Sequence, residues 1–192
     1  DHRDLHSFPT RRSSDLGVPE TRSLTAVRAA LRDRTPTVRE AAMRVLAEWP
    51  KADAAPDLLR LARTADNPTW RTLALRGYVR LSRQAAVPAA EKVQRLAEAM
   101  ALAGNVDAKR LVISGLAETN DPAALKLIEP CLTDKNLVEE ASLAVVQVAA
   151  RLNAQSKDDQ TRALRQVLKQ SGNRDIQTQA RELLERLGVK AD

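Results

Sequence analysis

The clearest pattern in the chain is a short run of apolar and polar positions that returns five times. The first run reads Val38-Arg-Glu-Ala-Ala42-Met-Arg-Val45-Leu46, with apolar residues at its first, fifth, eighth and ninth positions. The five runs begin at Val38, Trp70, Ala108, Leu137 and Ile176, so that 32, 38, 29 and 39 residues separate consecutive copies. Apolar residues at helical spacing, repeated at such intervals, are typical of stacked helix pairs.

Each repeat is predicted to contain an A helix followed by a B helix, because apolar residues recur at helical spacing and prolines mark helix starts. The A helices are predicted over residues 22–33, 55–65, 88–103, 121–133 and 157–171. The B helices are predicted over residues 36–49, 68–84, 106–118, 136–153 and 174–187. Pro130 should kink or shorten the A helix that contains it. No strand pattern is present, so the predicted fold is all-α, a solenoid of about five stacked helix pairs.

Small residues at regular positions predict close contacts between neighbouring helices. Short side chains occupy the fifth position of four runs, at Ala42, Ala74, Ala141 and Ala180. Gly77 and Gly115 lie in the middle of predicted B helices, where glycine costs roughly 1 kcal/mol relative to alanine. We therefore expect a tight helix contact at each of these two glycines.

The first 16 residues resemble the in-frame translation of a sequencing adapter over their whole length. They are interpreted as a non-native segment, and residues 17–192 as a single solenoid domain from the C-terminal part of a larger protein. His2 and His6 fall in the adapter-like segment, so residues 17–192 contain no histidine and a single cysteine, Cys131. One cysteine excludes an internal disulfide and a multi-cysteine zinc site. Its apolar neighbours predict that Cys131 is a small core residue.

The repeats resemble those of the HEAT-repeat family, and the first repeat, Leu31 to Ala42, carries the resemblance most fully. In that family an Asp in the turn and an Arg six residues later bridge adjacent repeats, and Asp33 and Arg39 have this spacing. Arg71 matches the Arg position of the second repeat, where it is interpreted as structural. The remaining repeats depart from the pattern, with Lys109, Val138 and Gln177 at that position.

The resemblance covers residues 21–187 and implies a bacterial armadillo-like α-solenoid, that is, a right-handed α-α superhelix of about five helix pairs. Family members are mostly scaffolds, adaptors and regulatory subunits. The leading hypothesis is therefore a non-enzymatic interaction module whose B-helix face binds a protein partner or a neighbouring domain. The compartment, cytoplasmic or exported, stays open because the true N-terminus is expected to be missing. No apolar run reaches the roughly 20 residues that a membrane span requires.

The positive charge of the chain is concentrated in the first two repeats. Residues 17–83 hold 13 basic residues against 7 acidic ones, whereas residues 84–192 hold 15 of each. Arg76, Arg80 and Arg83 lie at helical spacing on one predicted B helix. This arginine stripe is a candidate binding patch for an anionic partner, because guanidinium groups suit carboxylates and phosphates. A solvated helix face is the alternative interpretation.

Catalytic chemistry finds little support in the sequence. Without a histidine in residues 17–192, Ser–His–Asp and Cys–His arrangements are excluded, and the scattered glycines form no phosphate-binding loop. No cofactor and no metal is expected. HEAT-like folds do include DNA glycosylases of the alkylation-repair type, which combine an acidic residue and aromatic residues in a basic groove. A nucleic-acid-binding protein of that kind is the alternative, since Trp49, Trp70 and Tyr78 fall in the basic half, although Trp70 also occupies a core position.

Overall fold

The structure, a computed structural model, describes residues 20–190, and the adapter-like segment lies outside this range. Within it the chain is all-α and contains no strand, as the sequence predicts. In chain order the helices are α1 (Glu20–Ala30), α2 (Pro36–Ala47), α3 (Ala55–Thr64), α4 (Pro68–Gln84), α5 (Ala89–Leu102), α6 (Val106–Leu116), α7 (Ala123–Ile128), α8 (Val138–Arg151), α9 (Lys157–Gln170) and α10 (Arg174–Arg186). Each of the ten predicted helices is thus present in the described range.

The helices form two rows. The even-numbered B helices contact one another in chain order, from α2 through α4, α6 and α8 to α10. The A helices α3, α5, α7 and α9 do the same, and every A helix packs on the B helix of its own repeat. The right-handed superhelical path of these rows stays a prediction. Because the extensive contacts join only the same or neighbouring repeats, stability comes from stacking, and one apolar core runs from Leu24 to Leu184.

The A helix of the fourth repeat is shortened, as Pro130 predicts. α7 ends at Ile128, and a 3-10 helix, Glu129–Thr133, follows it. A proline lacks the N–H group that an α-helix needs, and its ring collides with the preceding turn, so the helix cannot continue through it. Cys131 lies in this 3-10 helix and is buried, as predicted, and burial raises the pKa of its thiol.

Both glycines in the B helices lie at close helix contacts, which confirms the sequence prediction. A Cβ atom at Gly77 would lie 2.7 Å from the carbonyl oxygen of Ala47 in α2. A Cβ atom at Gly115 would lie 3.0 Å from Cδ2 of Leu96 in α5. The absence of a side chain at Gly77 therefore allows the middle of α4 to rest against the C-terminal end of α2.

Candidate functional site

The C-terminal ends of four B helices are held by side chains from the following repeat. The last carbonyl groups of a helix have no partner within it, and the helix dipole favours a cation at this end. Arg80 of α4 donates hydrogen bonds to the carbonyl oxygens of Ala47 at 3.0 Å and Trp49 at 2.7 Å, at the end of α2. The other three donor–acceptor pairs are Lys92 with Arg83, Arg151 with Ala117, and Gln160 with Ala149. These bonds tie each B helix to the repeat that stacks on it.

The structure separates the three arginines of the predicted stripe. The Arg80 guanidinium also donates to the Gln84 side chain at 3.3 Å, in addition to the two carbonyl groups at the end of α2. The Arg83 side chain forms an ion pair with Glu118, just beyond α6, in which Nε donates to Oε2 at 3.1 Å. Arg76 is exposed, and its side chain has no hydrogen bond or ion pair within residues 20–190. Two members of the stripe therefore connect repeats, and Arg76 alone of the three keeps its guanidinium free within that range.

Arg76 lines a cavity of about 480 Å³ between the second and third repeats. We call this space the arginine cavity. Three arginines reach it, from the end of α3 and the first half of α4: Arg63, Arg71 and Arg76. The opposite wall is formed by the end of α5 and the beginning of α6, and it includes Asn105 and Asp107. The cavity therefore has a cationic side and an opposite, mostly apolar wall that carries one carboxylate.

The guanidinium groups at the arginine cavity are available to a ligand. Arg71, like Arg76, is exposed and has no side-chain partner within the described part of the chain. Arg63 has a half-exposed side chain and a long ion pair of 3.9 Å with Glu98. Asp107 Oδ1 is 3.7 Å from Nη1 of Arg110, and the Asp107 side chain is 81% exposed, so this ion pair is weak. The excess of free positive charge attracts an anion, and a guanidinium can hold a carboxylate through two parallel hydrogen bonds.

Three leucines belong to the lining of the arginine cavity: Leu75, Leu102 and Leu111, which we call its apolar floor. Leu75 lies between the two free arginines of α4 in sequence and is 5% exposed. The N-terminal end of α4 is fixed locally, because the Asn67 side chain accepts a hydrogen bond of 2.8 Å from the N–H of Thr69. The arginine cavity thus combines apolar side chains with free guanidinium groups.

The predicted inter-repeat residues Asp33 and Arg39 lie in and after the turn between α1 and α2. The Asp33 carboxylate accepts a hydrogen bond of 2.7 Å from the N–H of Thr35, which lowers the pKa of this carboxyl group. Arg39 donates to the carbonyl oxygens of Asp33 at 2.9 Å and of Arg34 at 3.1 Å. All of these contacts are made within the first repeat. Arg71, the matching residue of the second repeat, instead lines the arginine cavity.

The three aromatic residues of the basic half contribute to different places. Trp49 donates from Nε1 to Asp53 at 2.8 Å. Trp70 lines a small groove with Glu40 of α2, on the other side of α4 from the arginine cavity. The Tyr78 hydroxyl donates to Glu98 at 2.9 Å, and burial together with this bond raises the pKa of Tyr78. They therefore do not share one groove.

Two further structural findings concern residues 20–190. No three His, Cys, Asp or Glu side chains within this range are grouped so that they could hold a metal ion. None of its helices is both long enough and apolar enough to cross a membrane.

Sequence reasoning missed the arginine cavity because its walls come from separate elements of two repeats. One signal was present: α4 contains Arg71, Arg76, Arg80 and Arg83 and no acidic residue. No ion pair within the helix can therefore neutralise these arginines, and each must bind another element or remain free. A comparison with protein-family models gives no match, and neither does a comparison with curated proteins.

Proposed function

We propose that this chain is a non-enzymatic, HEAT-like interaction module that binds a carboxylate-bearing segment of a protein partner or of a neighbouring domain. The observation that carries the proposal is the arginine cavity, where Arg71 and Arg76 are free within the described residues and border an apolar floor. Guanidinium groups next to an apolar surface suit a protein segment that offers both a carboxylate and an apolar side chain.

The use of the other arginines supports this choice of site. Arg80 and Arg83 bind acceptor groups of neighbouring repeats, so their guanidinium groups are less available to a ligand. The two free arginines of α4 lie at its N-terminal side, around one cavity. A localised pair of cations beside an apolar floor favours a short protein segment over the regularly spaced phosphates of duplex DNA, which require many separate cations.

The proposal is tested by fluorescence anisotropy with a labelled glutamate-rich peptide and a labelled DNA duplex, in parallel, at low salt. We expect the peptide to bind, and the double variant Arg71→Gln/Arg76→Gln to weaken binding by about tenfold or more, because each charge-assisted hydrogen bond contributes roughly 1.5–3 kcal/mol. The matched control is Arg32→Gln/Arg34→Gln, which removes the same charge from exposed residues of the α1–α2 turn that have no side-chain partner within residues 20–190.

Two results would contradict the proposal. One is equal loss of peptide binding in both double variants, since the cavity would then contribute no more than general charge. The other is tight binding of the duplex with log affinity that falls linearly with log salt concentration, at a slope near −0.9 per neutralised phosphate. The latter result would favour the nucleic-acid alternative, and a glycosylase assay on alkylated DNA would then follow.

A further inference from the structure

We infer that the ligand of the arginine cavity is the free C-terminus of a protein chain that ends in an apolar residue. This inference rests on the proposed function and names the chemistry of the segment that would bind. The volume, about 480 Å³, lies toward the lower end of the range for pockets that hold small ligands. A space of this size accommodates the end of an extended chain.

The positions of the cationic and apolar groups favour a chain end over an internal acidic residue. Leu75 is one helical turn from Arg71, so these two side chains share a face of α4, and Arg76 lines the same cavity. In an extended peptide, successive side chains point to opposite sides, so an internal Glu-Leu pair directs its carboxylate and its apolar group apart. A Glu-X-Leu segment has both groups on one side but about 6.6 Å apart along the chain. A C-terminal leucine carries both groups on the same Cα atom.

Hydrogen-bonding groups elsewhere in the cavity suit the backbone of such a chain end. Thr72 on α4 and Asn105 before α6 line the cavity. The Thr72 hydroxyl donates to the carbonyl oxygen of Pro68 at 3.1 Å and can still accept a hydrogen bond. The Asn105 Oδ1 accepts from the N–H of Ala108 at 2.9 Å, which leaves the side-chain NH₂ group as a donor. Asp107 on the opposite wall can accept a hydrogen bond from a peptide N–H group. The lining therefore offers both donors and acceptors to the backbone of a chain end.

The test uses the full chain and three synthetic peptides that differ only at the C-terminus. The first, Gly-Ser-Gly-Lys-Leu with an acetylated N-terminus, ends in a free carboxylate. The second ends in leucine amide, and the third has serine in place of leucine. Titration calorimetry should show binding of the first peptide and at least about tenfold weaker binding of the other two, because one loses the charge and the other loses the apolar contact.

The variants connect this preference to the cavity. Arg71→Gln/Arg76→Gln should remove the difference between the free carboxylate and the amide, whereas Arg32→Gln/Arg34→Gln should keep it. Circular dichroism melting of both variants checks that the fold is retained; if the first double variant melts early, the single variants Arg71→Gln and Arg76→Gln replace it, each expected to reduce the difference.

The outcomes separate the inference from the proposed function. Equal binding of the carboxylate and amide peptides, or equal binding of the leucine and serine peptides, would overturn the inference. If the glutamate-rich peptide still bound through Arg71 and Arg76, the proposed function would stand without it. If none of the peptides bound, both would fail.

Discussion

The two halves of α4 use the same residue type in opposite ways. In the C-terminal half, Arg80 caps α2 and Arg83 pairs with Glu118, so both guanidinium groups hold repeats together. In the N-terminal half, Arg71 and Arg76 have no such partner within residues 20–190 and border a cavity. Whether an arginine in a helix stack is bound or free therefore depends on the acceptor groups that the neighbouring repeat places near it. Substitutions in the C-terminal half of α4 should therefore reduce stability, and substitutions in its N-terminal half should reduce binding.

The largest expected effect is at Gly77, where the C-terminal half of α4 contacts α2. The substitution Gly77→Val places atoms where even a Cβ would lie 2.7 Å from the Ala47 carbonyl oxygen. Because backbone on both sides must move, we expect a loss of about 3 kcal/mol in the free energy of unfolding. Urea denaturation measures this loss. The control is Gly104→Val, since a Cβ at Gly104 meets no atom within 4 Å; comparable losses for both would show that the α2–α4 contact is not the cause.

The variants Arg80→Ala and Arg76→Ala should differ in their free energy of unfolding. Arg80→Ala leaves the carbonyl groups of Ala47 and Trp49 without their charged donor, so we expect a loss of about 2 kcal/mol in the free energy of unfolding. Arg76→Ala should change it by less than about 0.5 kcal/mol, because the side chain is exposed and unpaired in the described structure. Peptide binding should be weakened more by Arg76→Ala than by Arg80→Ala. If Arg80→Ala weakened binding while leaving stability unchanged, the comparison between the two halves of α4 would be wrong.

The helices were predictable because their signals are local. Apolar residues three and four positions apart, prolines at first turns and the internal Pro130 act within one or two turns of the chain. Helical spacing likewise places Arg76, Arg80 and Arg83 along one helix. It does not show which guanidinium is bound to a neighbouring repeat, because the backbone carbonyl groups that accept from Arg80 lie 31 and 33 residues away in sequence.

The arginine cavity could not be predicted for a related physical reason. The position of Arg71 in the repeat indicates a structural role, and the sequence around Asp107 indicates only the start of a helix predicted over residues 106–118. Their placement around one space depends on how α4 packs on α6, which is a property of the interface between repeats. Periodicity identifies which residues face a neighbouring helix, but not how much room that neighbour leaves.

The smallest effect concerns alkaline pH and the buried side of the C-terminal half of α4. Burial and the hydrogen bond to Glu98 raise the pKa of Tyr78 in the folded state above its ordinary value of 10.0. As pH rises, the unfolded chain therefore loses the phenolic proton before the folded protein does. The contribution of Tyr78 to the free energy of unfolding is constant below pH 10 and falls by up to about 1.4 kcal/mol per pH unit above it. Tyr78 is the chain's single tyrosine, so tyrosinate absorbance reports on it alone. We expect this signal to rise together with loss of helical circular dichroism, and Tyr78→Phe to flatten the fall in stability; a tyrosinate signal in the fully helical protein near pH 10 would show that the hydroxyl is not held.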